Sequence, residues 1–286
     1  MAAKRTLLAP SIALLLLLSC ALSYAFLPAW MSLPDTPTLP HPASSSFASV
    51  KGVKLWYAVY GKGTPVILLH GGLANSNYWG KLIPELVDHH FQVIVIDTRG
   101  HGRSSRDETP YSYPLLASDV LAVMDHLKIK KAAIVGWSDG AITGLYLAIH
   151  APQRITQLFA YGANSNFREI KEDALLHPTL IRYSLRAEKE YKLLSATPEN
   201  FETFDSAVSE MESTQPDFSK AELNSISIPV CIADGTHDEF VKPDNVHYMA
   251  ENIPDAQLQW IEDTSHFSML QSPKLFNDLV ITFLTV

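Results

Sequence analysis

Gly136-Trp137-Ser138-Asp139-Gly140 is the segment of this chain best suited to covalent chemistry. A G-x-S-x-G spacing fits a sharp turn from a strand into a helix, with the serine in a strained backbone conformation and glycines where a side chain would clash. Ser138 is therefore the candidate nucleophile. A serine needs a base, and the base needs a carboxylate to orient it. His266, in Asp263-Thr264-Ser265-His266-Phe267, is the candidate base, and Asp238, in Gly235-Thr236-His237-Asp238-Glu239, is the candidate acid. Asp234, Glu239 and Asp263 compete for the acid role. Asp234 comes too soon after its strand, and Asp263 stands too close to the histidine in sequence to reach the far side of its ring. Acyl transfer also needs donors for an oxyanion. Backbone N–H groups of Asp139, at a helix start, and of Gly72 or Leu73, after His70-Gly71, are the candidates.

These residues need a scaffold that brings distant loops together. Pro65–His70, Gln92–Asp97, Ala132–Gly136, Thr156–Tyr161, Pro229–Ala233 and Gln257–Ile261 read as short apolar strands, with Lys54–Tyr60 a further strand before them. Helical spacing runs through 78–89, 115–127, 138–150 and 273–284. Strands alternating with helices predict an α/β fold around a mostly parallel sheet, whose strand-end loops share one edge. Residues 163–222 break the rhythm and read as an inserted helical cap. Leu176, Leu180 and Leu185 mark one helix of it, and Phe201, Phe204, Val208 and Met211 another. Phe167, Tyr183, Tyr191, Phe201 and Phe204 are its candidate pocket walls. His70 and His101 read as loop ties.

Composition excludes several classes. The chain has 286 residues, 47% hydrophobic and 18% charged, too apolar for a disordered protein. A net charge of −8 without a basic cluster argues against nucleic acid. Two cysteines, Cys20 and Cys231, exclude a disulfide framework and a cysteine zinc site. Lys4 and Arg5 precede an apolar run from Leu7 to Leu22, with Ser23-Tyr24-Ala25 as a small-x-small cleavage site. Residues 1–25 thus read as a signal peptide, whose loss would take the net charge from −8 to −10. Rival readings are an uncleaved membrane anchor and, at Cys20, a lipoprotein. Each implies export or a membrane tether. Residues 26–50, with Pro28, Pro34, Pro37, Pro40 and Pro42, read as a stiff spacer, and the domain is expected from Lys51 to Val286.

Taken together, His70-Gly71-Gly72, Asp97–Ser104, Gly136–Gly140, Gly235–Asp238 and Ser265-His266-Phe267 resemble the α/β-hydrolase superfamily, in its small-molecule esterase and lactonase-like branch. The resemblance covers about 51–286. It implies the fold of that superfamily, a helical cap, the triad order Ser138, Asp238, His266, and loop-bracing roles for Arg99 and Arg103. Two positions depart from the pattern. Asp139 is acidic where relatives carry a neutral residue; inward it would oppose an oxyanion, outward it would stabilise its helix. Ser265 stands where glycine is common.

The resulting expectation is a serine hydrolase that cleaves an ester or lactone of a small apolar molecule through an acyl-enzyme, with no cofactor, no metal and no nucleic-acid partner. The alternatives are a non-catalytic ligand-binding protein on the same fold, another triad chemistry such as C–C hydrolysis, and a membrane-tethered scaffold.

Overall fold

A computed structural model describes residues 28–285 of the chain. The readings for residues 1–25, including cleavage, anchoring and lipidation at Cys20, lie outside the described residues.

The sheet forms first from residue type. β3 (Thr64–Leu69), β4 (Phe91–Ile96), β5 (Ala132–Trp137), β6 (Ile155–Tyr161) and β7 (Val230–Gly235) are almost wholly buried and rich in Val, Ile and Leu, as strands covered on both faces must be. With β1 (Ser44–Val50), β2 (Val53–Tyr60) and β8 (Gln257–Ile261) they order as β1-β2-β4-β3-β5-β6-β7-β8. β1 and β2 run antiparallel, and β4-β3-β5-β6-β7-β8 pair in parallel.

The strand order reverses between β3 and β5. In parallel α/β sheets this is where loops diverge and leave a crevice at the strand ends. Here it sets Leu69 opposite Gly136, so the chain after β3 leaves the sheet beside the chain after β5. At the other edge Gly235 pairs with Ile261, which brings the loops after β7 and β8 together.

Helices cover both faces. α2 (Tyr113–His126), α3 (Asp139–His150) and α7 (Pro243–Asn252) bury apolar residues in one core, and α1 (Leu82–Asp88) and α9 (Pro273–Leu284) in the other. A short α8 (Ser268–Gln271) precedes α9.

The domain starts earlier than Lys51. Residues 44–50 are not spacer but β1, an edge strand whose Ala48 and Val50 point into the core. Its serines hide the strand from a hydrophobic pattern. The turn that makes it is local: Lys51 and Gly52 both adopt positive φ, as a two-residue hairpin loop requires. The proline-rich stretch before it is seated as well. Arg186 donates to the carbonyls of Leu33 and Pro34, Arg182 to that of Met31, and Gln271 to those of Trp30 and Ser32. An extended chain leaves its carbonyls free to be read in this way.

Between β6 and β7 the chain leaves the sheet for α4 (Pro178–Leu194), α5 (Phe201–Glu212) and α6 (Lys220–Asn224). α5 buries Phe204, Val208 and Met211, following its helical spacing. α4 buries Leu180, Tyr183, Ala187 and Tyr191, so Leu176 and Leu185 do not belong to the buried face: Leu176 precedes the helix, and Leu185 is 65% exposed. Tyr191 stacks on Phe204 at 4.8 Å, and Phe204 meets His101 of the body edge-on at 4.7 Å. Fully burying such a side chain stabilises by about 1.5–3 kcal/mol, enough to hold the insertion down.

Candidate active site

Ser138 sits between β5 and α3 at φ 53° and ψ −121°. A non-glycine residue in that region stores about 1–3 kcal/mol of strain. The surroundings keep it there: its N–H donates to Tyr161 O at 2.9 Å and its carbonyl accepts from Ala141 and Ile142. Flanking glycine is obligatory for steric reasons. A Cβ on Gly140 would lie 2.1 Å from Leu69 O, and one on Gly136 2.5 Å from Ala141 N.

His266 and Asp238 meet across the β7–β8 edge. His266 Nδ1 lies 2.6 Å from Asp238 Oδ2, with both residues buried. Asp238 Oδ1 accepts from the N–H groups of Phe240 and Val241 at 2.6 and 2.8 Å. Burial works against the Asp238 charge, but the facing imidazole and these donors outweigh it and hold its pKa down at about 2. Burial likewise disfavours charged His266, yet Asp238 carries the imidazole above its ordinary value. With Nδ1–H committed to Asp238, Nε2 is the nitrogen left to take a proton. The ring lies over Gly162, whose φ is +64° and where a Cβ would fall 2.8 Å from Cε1. Glu239 is no rival acid: its Oε2 accepts from the His266 N–H at 3.0 Å and so fixes the loop. Asp263, largely exposed, is 3.9 Å from His237 instead.

Ser138 and His266 line one cavity of about 410 Å³, with Gly72, Leu73, Trp137, Tyr183, Phe240 and Glu212 among its walls. Of the five aromatic residues singled out in the insertion, Tyr183 reaches this cavity; Tyr191, Phe201 and Phe204 pack on each other, and Phe167 meets Arg168. Tyr183 also donates from its hydroxyl to Gly72 O at 2.5 Å. A second, more polar hollow of about 470 Å³ lies behind Asp238, between Trp30, Lys171 and His177, and Ser138 takes no part in it.

Asp139 does not face solvent. It is buried, and its Oδ1 accepts from Tyr113 Oη at 2.7 Å. Its Oδ2 has no N–H or O–H partner and faces Glu212 of α5. A Cβ on Gly72 would fall 2.3 Å from Glu212 Oε1 and 3.0 Å from Asp139 Oδ2, so both carboxyls rest on that glycine. Two carboxyls this close share one proton. Burial pushes Asp139 up to about 6, although Tyr113 and His266 pull it back. Burial and then the Asp139 charge push Glu212 well above the carboxylate range. Sequence reasoning singled out Asp139 but missed Glu212, which looks like one more acid on an insertion helix.

The nearby polar groups brace the loops. Arg99 pairs bidentately with Asp119 at 2.8 and 2.7 Å, and Arg103 with Asp97 at 2.9 Å. His70 accepts the Thr98 N–H at Nε2, tying the β3 loop to the β4 loop, and its Nδ1 meets Gly71 O. Asp234, Asp238 and His266 are the only cluster of metal-ligating types among the described residues. Asp238 already spends its oxygens on His266 and two N–H groups, which suits a hydrogen-bonded triad better than a cation.

The fold family described as alpha/beta hydrolase matches residues 64–177. The chain belongs to the α/β-hydrolase superfamily. It is 29% identical, over 81% of its own length and 93% of the relative's, to 3-oxoadipate enol-lactonase 2 of Acinetobacter baylyi. It is 26% identical, over 84% and 90%, to 2-hydroxy-6-oxo-6-(2'-aminophenyl)hexa-2,4-dienoic acid hydrolase of Metapseudomonas resinovorans. Among solved structures, Est816, described as an N-acyl homoserine lactone degrading enzyme, superposes with a TM-score of 0.65 at 28% identity, covering 83% of this chain and all of that one. This α/β hydrolase is thus an enzyme of that class, and its relatives act on small molecules.

Proposed function

We propose that this α/β hydrolase is a serine hydrolase that cleaves a small carboxylic ester or lactone through an acyl-enzyme. The observation that carries the reading is Ser138, held in a strained turn, sharing one cavity with a buried His266 whose Nδ1 is bound to Asp238. Ser138 Oγ attacks the carbonyl carbon while His266 Nε2 takes its proton. The negative charge that forms on the carbonyl oxygen is met by N–H groups of Asp139 and of Gly72 or Leu73. The tetrahedral adduct collapses, and the leaving alkoxide takes the proton from His266. Water, deprotonated by the same nitrogen, then attacks the acyl-enzyme and returns Ser138. Asp238 keeps Nδ1 protonated and stabilises the imidazolium.

The wall of the cavity narrows the substrate class. Asp139 and Glu212 retain a negative charge near neutral pH, within reach of the donors at Gly72. An anionic acyl group would be repelled there, so the reading favours an ester or lactone without a carboxylate of its own.

Intact-mass measurement after fluorophosphonate treatment of the purified chain tests the mechanism. One adduct on the wild-type chain, none on Ser138→Ala, and slowed labelling of His266→Ala is the expected pattern. A folded wild-type chain that takes no label, or an equal adduct on Ser138→Ala, would overturn it.

A further inference from the structure

The mechanism above leaves one buried acid unused. Asp234 is the penultimate residue of β7, and 1% of it is exposed. Its Oδ1 accepts from the Gly235 N–H at 2.8 Å. Its Oδ2 is fully buried and meets no N–H or O–H donor. What it does meet is the triad: acceptor atoms of Asp234 and Asp238 and a ring nitrogen of His266 all lie within 4.8 Å of one another. A buried, ionised carboxylate in that position would face the charge of Asp238 with one N–H donor, from Gly235, on its other oxygen, which is far costlier than keeping one proton.

Resting on the hydrolase reading, we propose that Asp234 is a positioning residue of the triad, a protonated carboxyl whose Oδ2–H donates to the Asp238 carboxylate. The proton makes the orphaned oxygen a donor and gives Asp238 a further hydrogen bond beyond Phe240, Val241 and His266. It moves charge density on Asp238 away from His266 Nδ1 without adding a second anion. Burial first, and then the Asp238 charge, hold Asp234 well above the carboxylate range, in the same direction as the geometry.

The titratable groups facing this pair come from every neighbouring element. Tyr161 stands at the end of β6, Lys171 on the insertion, Asp238 and Glu239 on the loop after β7, and His266 on the loop after β8. Asp139, at the start of α3 and paired with Glu212, acts on His266 from the far side. Lys171 Nζ donates to the carbonyl of Asp238, not to Asp234. Tyr161 donates to Ser265 O, so its phenol does not replace the proton either.

The second-order rate of fluorophosphonate labelling of Ser138, followed from pH 5 to 9, tests this without a known substrate. Its acid limb reports the loss of the His266 proton. Asp234→Asn keeps a donor towards Asp238 and an acceptor for Gly235, so its rate and acid limb should match the wild-type chain. Asp234→Ala removes the donor. Its plateau rate should fall about tenfold, because the Asp238 carboxylate loses a contact that holds it in line with His266 Nδ1, and misplacement of a catalytic group costs rate even where the base is stronger. Its acid limb should move to higher pH, since Asp238 then holds the imidazolium more tightly. Should Asp234→Ala fail to fold, Asp234→Leu fills the site without a donor and takes its place.

An acid limb moved to lower pH in Asp234→Asn would mean that Asp234 is ionised, and the inference would fall. So would an unchanged rate and limb in the donorless variant. Failure of the hydrolase reading is distinct: the wild-type chain itself would then take no label.

Discussion

The two sides of the cavity each hold a pair of buried carboxyls, and they behave in opposite ways. On the histidine side, Asp238 stays ionised down to about 2 because His266 and two backbone donors face it, while Asp234 is pushed up. On the serine side, Asp139 has a phenol from Tyr113 as its close donor and rises to about 6, with Glu212 higher still. Residue type is nearly the same in both pairs. The partner decides: a chargeable imidazole stabilises a carboxylate far more than a neutral hydroxyl does. The pairs also differ in what they join. Asp234 and Asp238 lie four residues apart at the end of one strand, whereas Asp139 and Glu212 join the body to the insertion.

The largest test of this contrast is a matched pair of amides. Asp238→Asn should cut kcat, or the labelling rate of Ser138, by about 10³–10⁴, as loss of the orienting carboxylate from such a triad does. Asp139→Asn should stay within about tenfold of the wild-type chain, because it removes one charge and keeps an acceptor for Tyr113. Comparable losses would erase the distinction between the two sides.

Stability against pH comes next. Asp139 has a folded pKa near 6 against an ordinary value of 3.8, so the folded chain binds a proton that the unfolded chain has released. Its effect is a penalty that grows as pH rises from about 4 through 6 and is complete above that range. Asp238 has the opposite sign: its stabilisation is present above 3.8 and is lost as pH falls towards 2. Asp139→Asn and Glu212→Gln should therefore be more stable than the wild-type chain at pH 8, on the order of 1–3 kcal/mol, and the gain should shrink at pH 5. Melting curves at the two pH values check this. Asp139→Asn, which removes the charged member of the pair, should also raise turnover of an anionic ester relative to its neutral analogue.

The smallest effect is expected where the insertion meets the arm before β1. Arg186 donates to Pro34 O and Leu33 O at 2.6 and 2.8 Å. Arg186→Ala should speed hydrogen exchange across α4 by roughly tenfold, the weight of one or two such bonds. It should leave the acid limb of His266 where it was. A shift of that limb instead would mean that the two sides are not independent.

Much of the candidate site's arrangement was legible before any tertiary information. The strand–glycine–serine–glycine pattern around Ser138 follows from local steric rules, and the places of Asp238 and His266 follow from strand ends. β1 was not legible, because an antiparallel edge strand of serines carries no apolar run. The buried face of α4 was misjudged at Leu176 and Leu185, because several leucine spacings fit one helix and only the body beneath it selects among them.

The sequence by itself determined the α/β alternation, the serine turn and the order of the three triad candidates along the chain. These depend on hydrophobic period and on glycine, which act over a few residues. Tertiary structure alone decided that Glu212 meets Asp139 over Gly72, and that Asp234 backs Asp238. It also decided that the arm lies along α4. The protonation of a carboxyl depends on what surrounds it within a few ångströms, and those neighbours come from strands and helices far apart in the chain.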